Sequence, residues 1–372
     1  MAVSALQEAG WPGVPSAVRE NLQRDAESCV LRSMRQLEAQ STLAQAANSA
    51  GIRFLSLKGL ALSAHLYRDP LIRESFDFDL LVDPGDVQRM KGLLHGIGFE
   101  PAQPKPKLSP RQTAILDRFF AEEKYIHRVT GVIVDIHHAL TGNPWRMATD
   151  FEDLWRNRQK VRVGQSELSI PGNADLIQYL GAHAATHAWE RWKWIGDLLT
   201  LYRQSGTANL LAQRRAAHAA GWAGLFDSSL LMTSAVTGWE LSPELSEICG
   251  RNKDAVRLAR RALNFSSRPA SRAEFRGHAY AFRLVMFRLR LRNHPRYFAH
   301  EVAAMFHRPS DWYELQLADP LIPAYYVLRP ILVVWRGFSQ SIQGLRRTPG
   351  SQHGAAPEQT SWKSSILEKK RG

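Results

Sequence analysis

Cysteine is scarce. The 372 residues hold two, Cys29 and Cys249, far apart and in no CxxC pair. That argues against a disulfide framework and fits a reducing cytoplasm, with both thiols buried. A membrane-spanning run is missing too. The best apolar stretch, Leu321 to Trp335, is short and broken by Pro323, Arg329 and Pro330. It reads as a buried C-terminal segment or as an anchor on a membrane surface. Residues 1–20 lack the basic start and apolar block of a secretory signal. No internal repeat is visible. Acids are outnumbered by bases, 35 to 48, for a net charge of +13 and an isoelectric point near 10.0. Such a charge favours polyanionic partners, whether nucleotides, nucleic acid or an anionic membrane surface, without choosing among them. It leaves a cytoplasmic location, with or without a peripheral membrane contact. The length allows two domains with a sizeable core.

The most informative stretch is Ile52 to Val82. Its pattern predicts a strand over Ile52–Leu57, a tight Lys58-Gly59 turn, a helix, a loop and a second strand over Phe76–Val82. Residues two apart in a strand share a face, so Asp77 and Asp79 point one way and Phe76, Phe78 and Leu80 the other. Two carboxylates so close on an apolar strand repel each other and cost stability. A hard divalent cation resolves that conflict: Mg²⁺ is held by one or two carboxylates together with substrate phosphates. The Lys58-Gly59 turn opens a helix. Amides at a helix N-terminus, with a glycine allowing close approach, seat a phosphate, and Lys58 adds positive charge. A third carboxylate, Asp135, lies in the strand Val132–His137 and faces the same way as His137. It is placed to complete a metal site or to deprotonate an acceptor hydroxyl.

The rest of the chain supplies a frame. Residues 1–15 read as loose, and Ser16–Ser49 as one or two helices. Val87–Ile97 reads as a helix stopped by Gly98, and Phe99–Leu108 as a proline-rich loop. Ser109 reads as an N-cap, with Pro110 opening a helix that runs to about Phe120. Lys124–Val129 and Val132–His137 form a hairpin around Thr130-Gly131. Trp145–Arg158 reads as a helix and Val161–Ile170 as a hairpin around Gly164. Pro171-Gly172-Asn173 breaks the chain, and a domain boundary is expected there.

Beyond it the pattern is helical. Asp175–Trp189 carries His183 and His187, four apart on one face. The glutamate of an HExxH motif is absent, so a zinc-protease reading fails, and the pair reads as helix packing, as a cleft lining or as a zinc site. In residues 189–202, Trp189, Trp192 and Ile195 read as an apolar stripe, and Lys193 and Asp197 as an intrahelical ion pair or as substrate contacts. Further helices should stop at Gly221 and Gly238. Residues 251–296 are dense in arginine, with Asp254 and Glu274 the few acids, and read as a solvated face or a polyanion contact. No nucleic-acid-binding motif accompanies them. Residues 346–372 read as a disordered basic tail.

Taken together, Lys58-Gly59, Arg73, Asp77-Phe78-Asp79 and Asp135 resemble the nucleotidyltransferase superfamily. The pattern looks most like a bacterial branch whose turn reads Lys-Gly and whose acidic strand follows an arginine. The resemblance spans about residues 45–335 and is sharpest over 55–83, 132–138 and 183–199. It implies an α+β fold: a nucleotidyltransferase-like mixed β-sheet flanked by helices, followed by an all-helical C-terminal domain. The expected division is a helical segment over 1–49, a catalytic domain over 50–173, a helical domain over 174–345 and the tail. The implied reaction moves a nucleoside monophosphate from a nucleoside triphosphate to an acceptor hydroxyl. Asp77, Asp79 and Asp135 would hold Mg²⁺ or Mn²⁺, and Lys58, Gly59, Arg73, His183, His187, Lys193 and Asp197 would line the nucleotide site. The acceptor stays open: a small molecule, glycan, protein or RNA. Two other readings stand beside it, a non-catalytic nucleotide- or partner-binding module of a surface-polysaccharide pathway and a toxin-type transferase acting on tRNA or protein. The turn departs from the superfamily's Gly-Ser form, so the usual hydroxyl is missing there; Ser56 and Ser63 flank it.

Overall fold

Short strands rich in Phe, Leu, Ile and Val assemble a five-stranded mixed sheet. In this computed structural model the described residues are 2–102, 108–147, 149–266, 278–307, 311–312, 315, 317–329 and 331–332. The chain opens with helices α1 (Ala2–Glu8) and α2 (Ser16–Ser49). Then come β1 (Phe54–Ser56), α3 (Gly59–Tyr67), β2 (Asp77–Val82), α4 (Val87–Gly96), β3 (Phe99–Pro101), α5 (Pro110–Phe119), β4 (Glu122–His127) and β5 (Ile133–His137). The sheet order is β1-β2-β5-β4-β3. β2 and β5 run parallel at its centre, and every other pair is antiparallel. After α6 (Phe151–Arg156), strands β6 (Gln159–Val163) and β7 (Ser166–Ile170) form a separate hairpin.

One face of the sheet is apolar. Phe78, Leu80 and Val82 of β2, Val134 and Ile136 of β5 and Tyr125 of β4 are buried there. Leu43, Ala44 and Ala47 of α2 and Met90 and Leu94 of α4 join the same core. The capping box at Ser109 forms as its sequence implies: its hydroxyl accepts from the Gln112 amide, and the Gln112 side chain accepts from the Ser109 amide.

From Pro171 onward the described elements are helical: α7 (Asn173–Thr186), α8 (Trp192–Ala219), α9 (Ala223–Thr237), α10 (Pro243–Arg251), α11 (Lys253–Ser266), α12 (His278–Arg288) and α13 (Pro295–Phe306). The α+β expectation is met, a mixed sheet flanked by helices and followed by a helical region. Gly221 and Gly238 end their helices with left-handed backbone, φ 74° and 69°. Met1–Asp319 form one compact unit and Pro320–Gly372 a second. The second carries all but the first residue of a 3-10 turn (Asp319–Ala324) and a short helix over 325–329. No helix among the described residues is long and apolar enough to cross a membrane. The expected tail over 346–372 lies outside the described residues, as does part of Leu321–Trp335.

Several expectations are corrected. Residues 2–8 are helical rather than loose, because AVSALQE holds good helix formers up to Gly10. A strand, β3, occupies the start of the expected proline-rich loop; Phe99 is buried and pairs with His127. The rest of that loop, 103–107, lies outside the described residues. The helix expected over Trp145–Arg158 is confined to α6. Asp150 caps it, and the preceding turn is tied down by Asn143 and Arg146. α7 stops at Thr186 because Ala188 and Trp189 take left-handed backbone, φ 51° and 52°. That bend drops Trp189 into the core while Trp192 stays 69% exposed, so the expected apolar stripe does not form. Cys249 is buried, but Cys29 is only partly covered and its thiol donates to Glu74 at 3.4 Å.

The 143–146 turn is held by an Arg-Glu-Arg cluster. Glu301 on α13 accepts from Arg146 at 2.5 Å, from Asn143 at 3.0 Å and from Arg288 at 3.3 Å. Burial alone would raise the Glu301 carboxyl; the two guanidiniums outweigh it and hold it below its ordinary range. A lowered folded-state value means that the stabilisation is complete above the unfolded value, about 4.3, and is lost as pH falls through the lowered one. Glu301→Gln should therefore cost about 3–5 kcal/mol at pH 7, since it strands the buried Arg146 guanidinium and the partly buried Arg288. The gap between variant and wild type should narrow below about pH 4, as read from urea melts across the pH range.

Candidate active site

The parallel register of β2 and β5 sets Asp79 level with Asp135, and Asp77 one pleat away on the same face. Neighbouring strands lie about 4.8 Å apart, so the carboxylates of Asp79 and Asp135 are side by side. The antiparallel register of β4 then sets Lys124 opposite Asp135, and Glu122 opposite His137. The backbone pairing alone brings three acids and their partners to one patch.

Cations fill the space between them. Lys124 Nζ lies 2.6 Å from both Asp135 oxygens and 3.7 Å from Asp77 Oδ2, so one ammonium spans two carboxylates. Lys58 Nζ lies 2.9 Å from Asp79 Oδ1, and His137 Nε2 lies 3.2 Å from the same oxygen. His137 also stands 3.7 Å from Glu122. Asp79 and Asp135 are deeply buried, while the Asp77 side chain is 38% exposed. Burial would raise the Asp79 carboxyl, but Lys58 and His137 hold it well below the usual range. Asp135 goes the other way: burial, helped by Asp79 and Asp77, pushes it up to about 6 against the pull of Lys124. Lys124 itself is raised, because the attraction of Asp135 outweighs burial.

Gly59 opens α3 directly against this patch. Its φ is +74°, and a Cβ there would sit 3.3 Å from the Asp77 carbonyl and 3.4 Å from Ser75 Oγ. Only glycine lets the N-terminus of α3 come so close to the acidic strand. The serines near the turn are committed elsewhere. Ser56 donates to the Lys58 carbonyl, and Ser63 donates to the Asp69 carbonyl and accepts from the Arg73 amide.

His183 stands 3.5 Å from Lys58 Nζ and packs on His187, with ring centroids 5.1 Å apart. Burial and then Lys58 push His183 well below its ordinary value; burial and then Arg288 bring His187 down to about 3. Both rings are neutral at pH 7. His183 therefore stands at the edge of the patch, and His187 in the layer behind it.

Arg73, Lys193 and Asp197 form a second layer rather than contacts with the carboxylates. Asp197 is fully buried; its two oxygens take Arg73 Nε at 3.0 and 2.9 Å, and one takes the Tyr67 hydroxyl at 2.9 Å. Lys193 donates to the Glu74 carbonyl at 3.0 Å, and burial followed by Arg73 lowers it to about 8. The intrahelical Lys193–Asp197 pair is not formed, because Asp197 faces the interior and is taken by an arginine. The trio clamps α3 and the 73–76 backbone onto α8, and that backbone carries Asp77.

Lys124, His137 and Glu122 were not singled out as site residues. Lys124 was out of reach: a two-residue Thr130-Gly131 turn would set Ile126 opposite Asp135, and only the wider 128–131 loop shifts Lys124 into that place. The alternation of β5 puts His137 on the face of Asp135, but nothing local names its partner, Asp79. The link between Arg73 and Asp197, 124 residues apart, left no local signal.

The donor chemistry suits a hard divalent cation, since three carboxylates share one face and an ammonium already bridges two of them. Among the described residues no three His, Cys, Asp or Glu side chains converge at ion-binding distance as they stand; lysines occupy the gaps. A sequence profile of a family described as uncharacterised nucleotidyltransferase matches residues 1–238, and the chain belongs to that family. Its general chemistry is therefore nucleotidyl transfer, with a nucleoside triphosphate as donor. A search of curated proteins found no match.

Gly59→Ala should destabilise the fold by about 1–2 kcal/mol through left-handed backbone alone, and more if the Asp77 strand must move. Thermal melts of the variant check this. Asp197→Ala leaves Arg73 buried without its counter-ion and should cost about 3–5 kcal/mol. Equilibrium denaturation measures it, and a loss under 1 kcal/mol would mean that the lock is not what holds α3.

Proposed function

We propose that the protein transfers a nucleoside monophosphate from a nucleoside triphosphate to an acceptor hydroxyl with a divalent metal, Mg²⁺ or Mn²⁺. The observation that carries this reading is the register of β2 and β5, which sets Asp77, Asp79 and Asp135 on one face beside the glycine turn. Asp77, Asp79 and Asp135 are the residues to hold the cation. When bound, it supplies charge to the triphosphate and lowers the cost of the negative charge that builds during transfer.

The chain's own groups do the rest. The α3 N-terminus presents amides to the β and γ phosphates, and Gly59 keeps that approach clear. Lys58 neutralises phosphate charge from the patch itself. Lys124 holds the Asp77–Asp135 gap, and its side chain is 46% exposed, so it is free to follow incoming phosphates. The acceptor oxygen attacks the α-phosphorus, the bond from that phosphorus to the bridging oxygen breaks, and pyrophosphate leaves. Asp135 stands where it can take the acceptor's proton. Neutral His183 accepts from Lys58 and so orients it. Arg73, Asp197 and Lys193 serve the nucleotide by fixing α3 and the approach to Asp77.

Incubation with labelled ATP, CTP, GTP or UTP, Mg²⁺ or Mn²⁺ and cell extract as acceptor source tests the proposal. Label should pass to an extract component. Asp77→Ala with Asp79→Ala should cut that transfer by about 10²-fold or more. Metal-dependent nucleotide binding with no transfer by the wild type would sink the enzymatic reading and leave a binding module.

A further inference from the structure

The arginine-rich part of the chain holds a cavity that shares no residue with the carboxylate patch. Residues from the end of α8, the start of α9, α11 and the 289–293 turn line a half-open cavity of about 680 Å³. That is the size of a small-molecule site rather than of a surface dimple. Four arginines line it, Arg257, Arg261, Arg290 and Arg292, against a single acid, Asp254. Asp254 is paired with Arg257 at 3.1 Å. Among the described residues no acid pairs with Arg261, Arg290 or Arg292. Arg292 is pinned to the Trp145 and Ala220 carbonyls, and its Nε is buried with no partner. Among the described residues, the lining thus carries a surplus of positive charge that no acid neutralises.

The backbone points the same way. α9 begins in this wall, and its N-cap Trp222 offers no side-chain cap to the first amides. Gly224 has only Asp254 Cβ, 3.9 Å away, near where a side chain would start. The Leu225 amide is taken by the Trp222 carbonyl, but those of Ala223 and Gly224, at the start of a 15-residue helix, are open to a ligand, and the helix dipole favours an anion there. Between the arginines lie the apolar bodies of Trp222, Leu258 and Leu291. A cavity with guanidiniums, free amides and apolar walls suits a compact organic anion. A nucleic-acid strand needs a long open stripe instead.

We infer that this cavity is a second binding site, taking a phosphorylated small molecule whose phosphate meets Arg257, Arg261 and the α9 N-terminus. The inference does not depend on the transferase chemistry at Asp77, Asp79 and Asp135.

The test titrates the full-length chain with pyrophosphate in metal-free buffer containing a chelator, by calorimetry and by hydrogen exchange. Three proteins are compared: wild type, Arg257→Ala with Arg261→Ala, and Asp77→Asn with Asp79→Asn. The two arginines are exposed, so their removal should leave the melting temperature unchanged. The expected result is saturable binding with slowed exchange at the Ala223 and Gly224 amides, which have no partner within the protein's described residues. The arginine variant should weaken it at least tenfold, and the aspartate variant should leave it within twofold. Absent binding, equal binding by the arginine variant, or protection confined to residues 58–62 would overturn the inference. Binding to phosphatidate vesicles without binding to free pyrophosphate would also overturn it, by replacing the small molecule with a lipid headgroup.

Discussion

Like-charge repulsion on one face of the central sheet is the constraint the rest of the structure answers. Asp77, Asp79 and Asp135 sit within a pleat or one strand spacing of each other, and two of them are deeply buried. At an effective dielectric near 20, unit charges 4 Å apart repel by about 4 kcal/mol, so such a patch survives only with cations among its members. Lys58 enters from the turn before α3 and Lys124 from the neighbouring strand. The opposite shifts of Asp79 and Asp135 follow from this arrangement. Asp79 has two cationic or donor neighbours at close range, whereas Asp135 has one and faces two like charges. A patch balanced in this way gives up little when an ammonium is exchanged for another cation.

The helical segment around residues 183–199 gains its importance indirectly. It meets the acidic strand through backbone and through other side chains. Asp197 fixes Arg73 and Tyr67, Lys193 fixes the Glu74 carbonyl, and His183 stands against Lys58. These contacts span more than a hundred residues and bind α3, the loop before β2 and α8 into one piece. The phosphate seat proposed at the α3 N-terminus would be only as well placed as that clamp makes it.

Local chemistry was legible in the sequence, and partner choice was not. Alternation along β2 revealed which side the two aspartates take, the Lys58-Gly59 pair marked the turn, and Ser109-Pro110 marked a helix start that forms as read. The hairpin around Thr130-Gly131 was legible too, but its register was not: the loop is two residues wider than that pair, and this puts Lys124 rather than Ile126 opposite Asp135. What else failed was decided by distant packing. A helix over 145–158 has reasonable local propensity, yet Arg146 and Asn143 are drawn to Glu301 on α13 and the segment turns instead. α7 ends early because Trp189 is worth more in the core than on an exposed helix face. Asp197 reads locally as a partner of Lys193, four residues away; the buried arginine that claims it belongs to another part of the chain.

The outer strands of the sheet set how this protein can meet a second copy of itself. β1 and β3 are three residues each, and β3 finishes in Pro101, which has no amide hydrogen to offer. A passing chain that tried to extend the ladder there would find too few donors to register on. The main sheet is thereby capped at its rim, which turns an arriving partner away from backbone pairing there and toward surfaces it must read by shape.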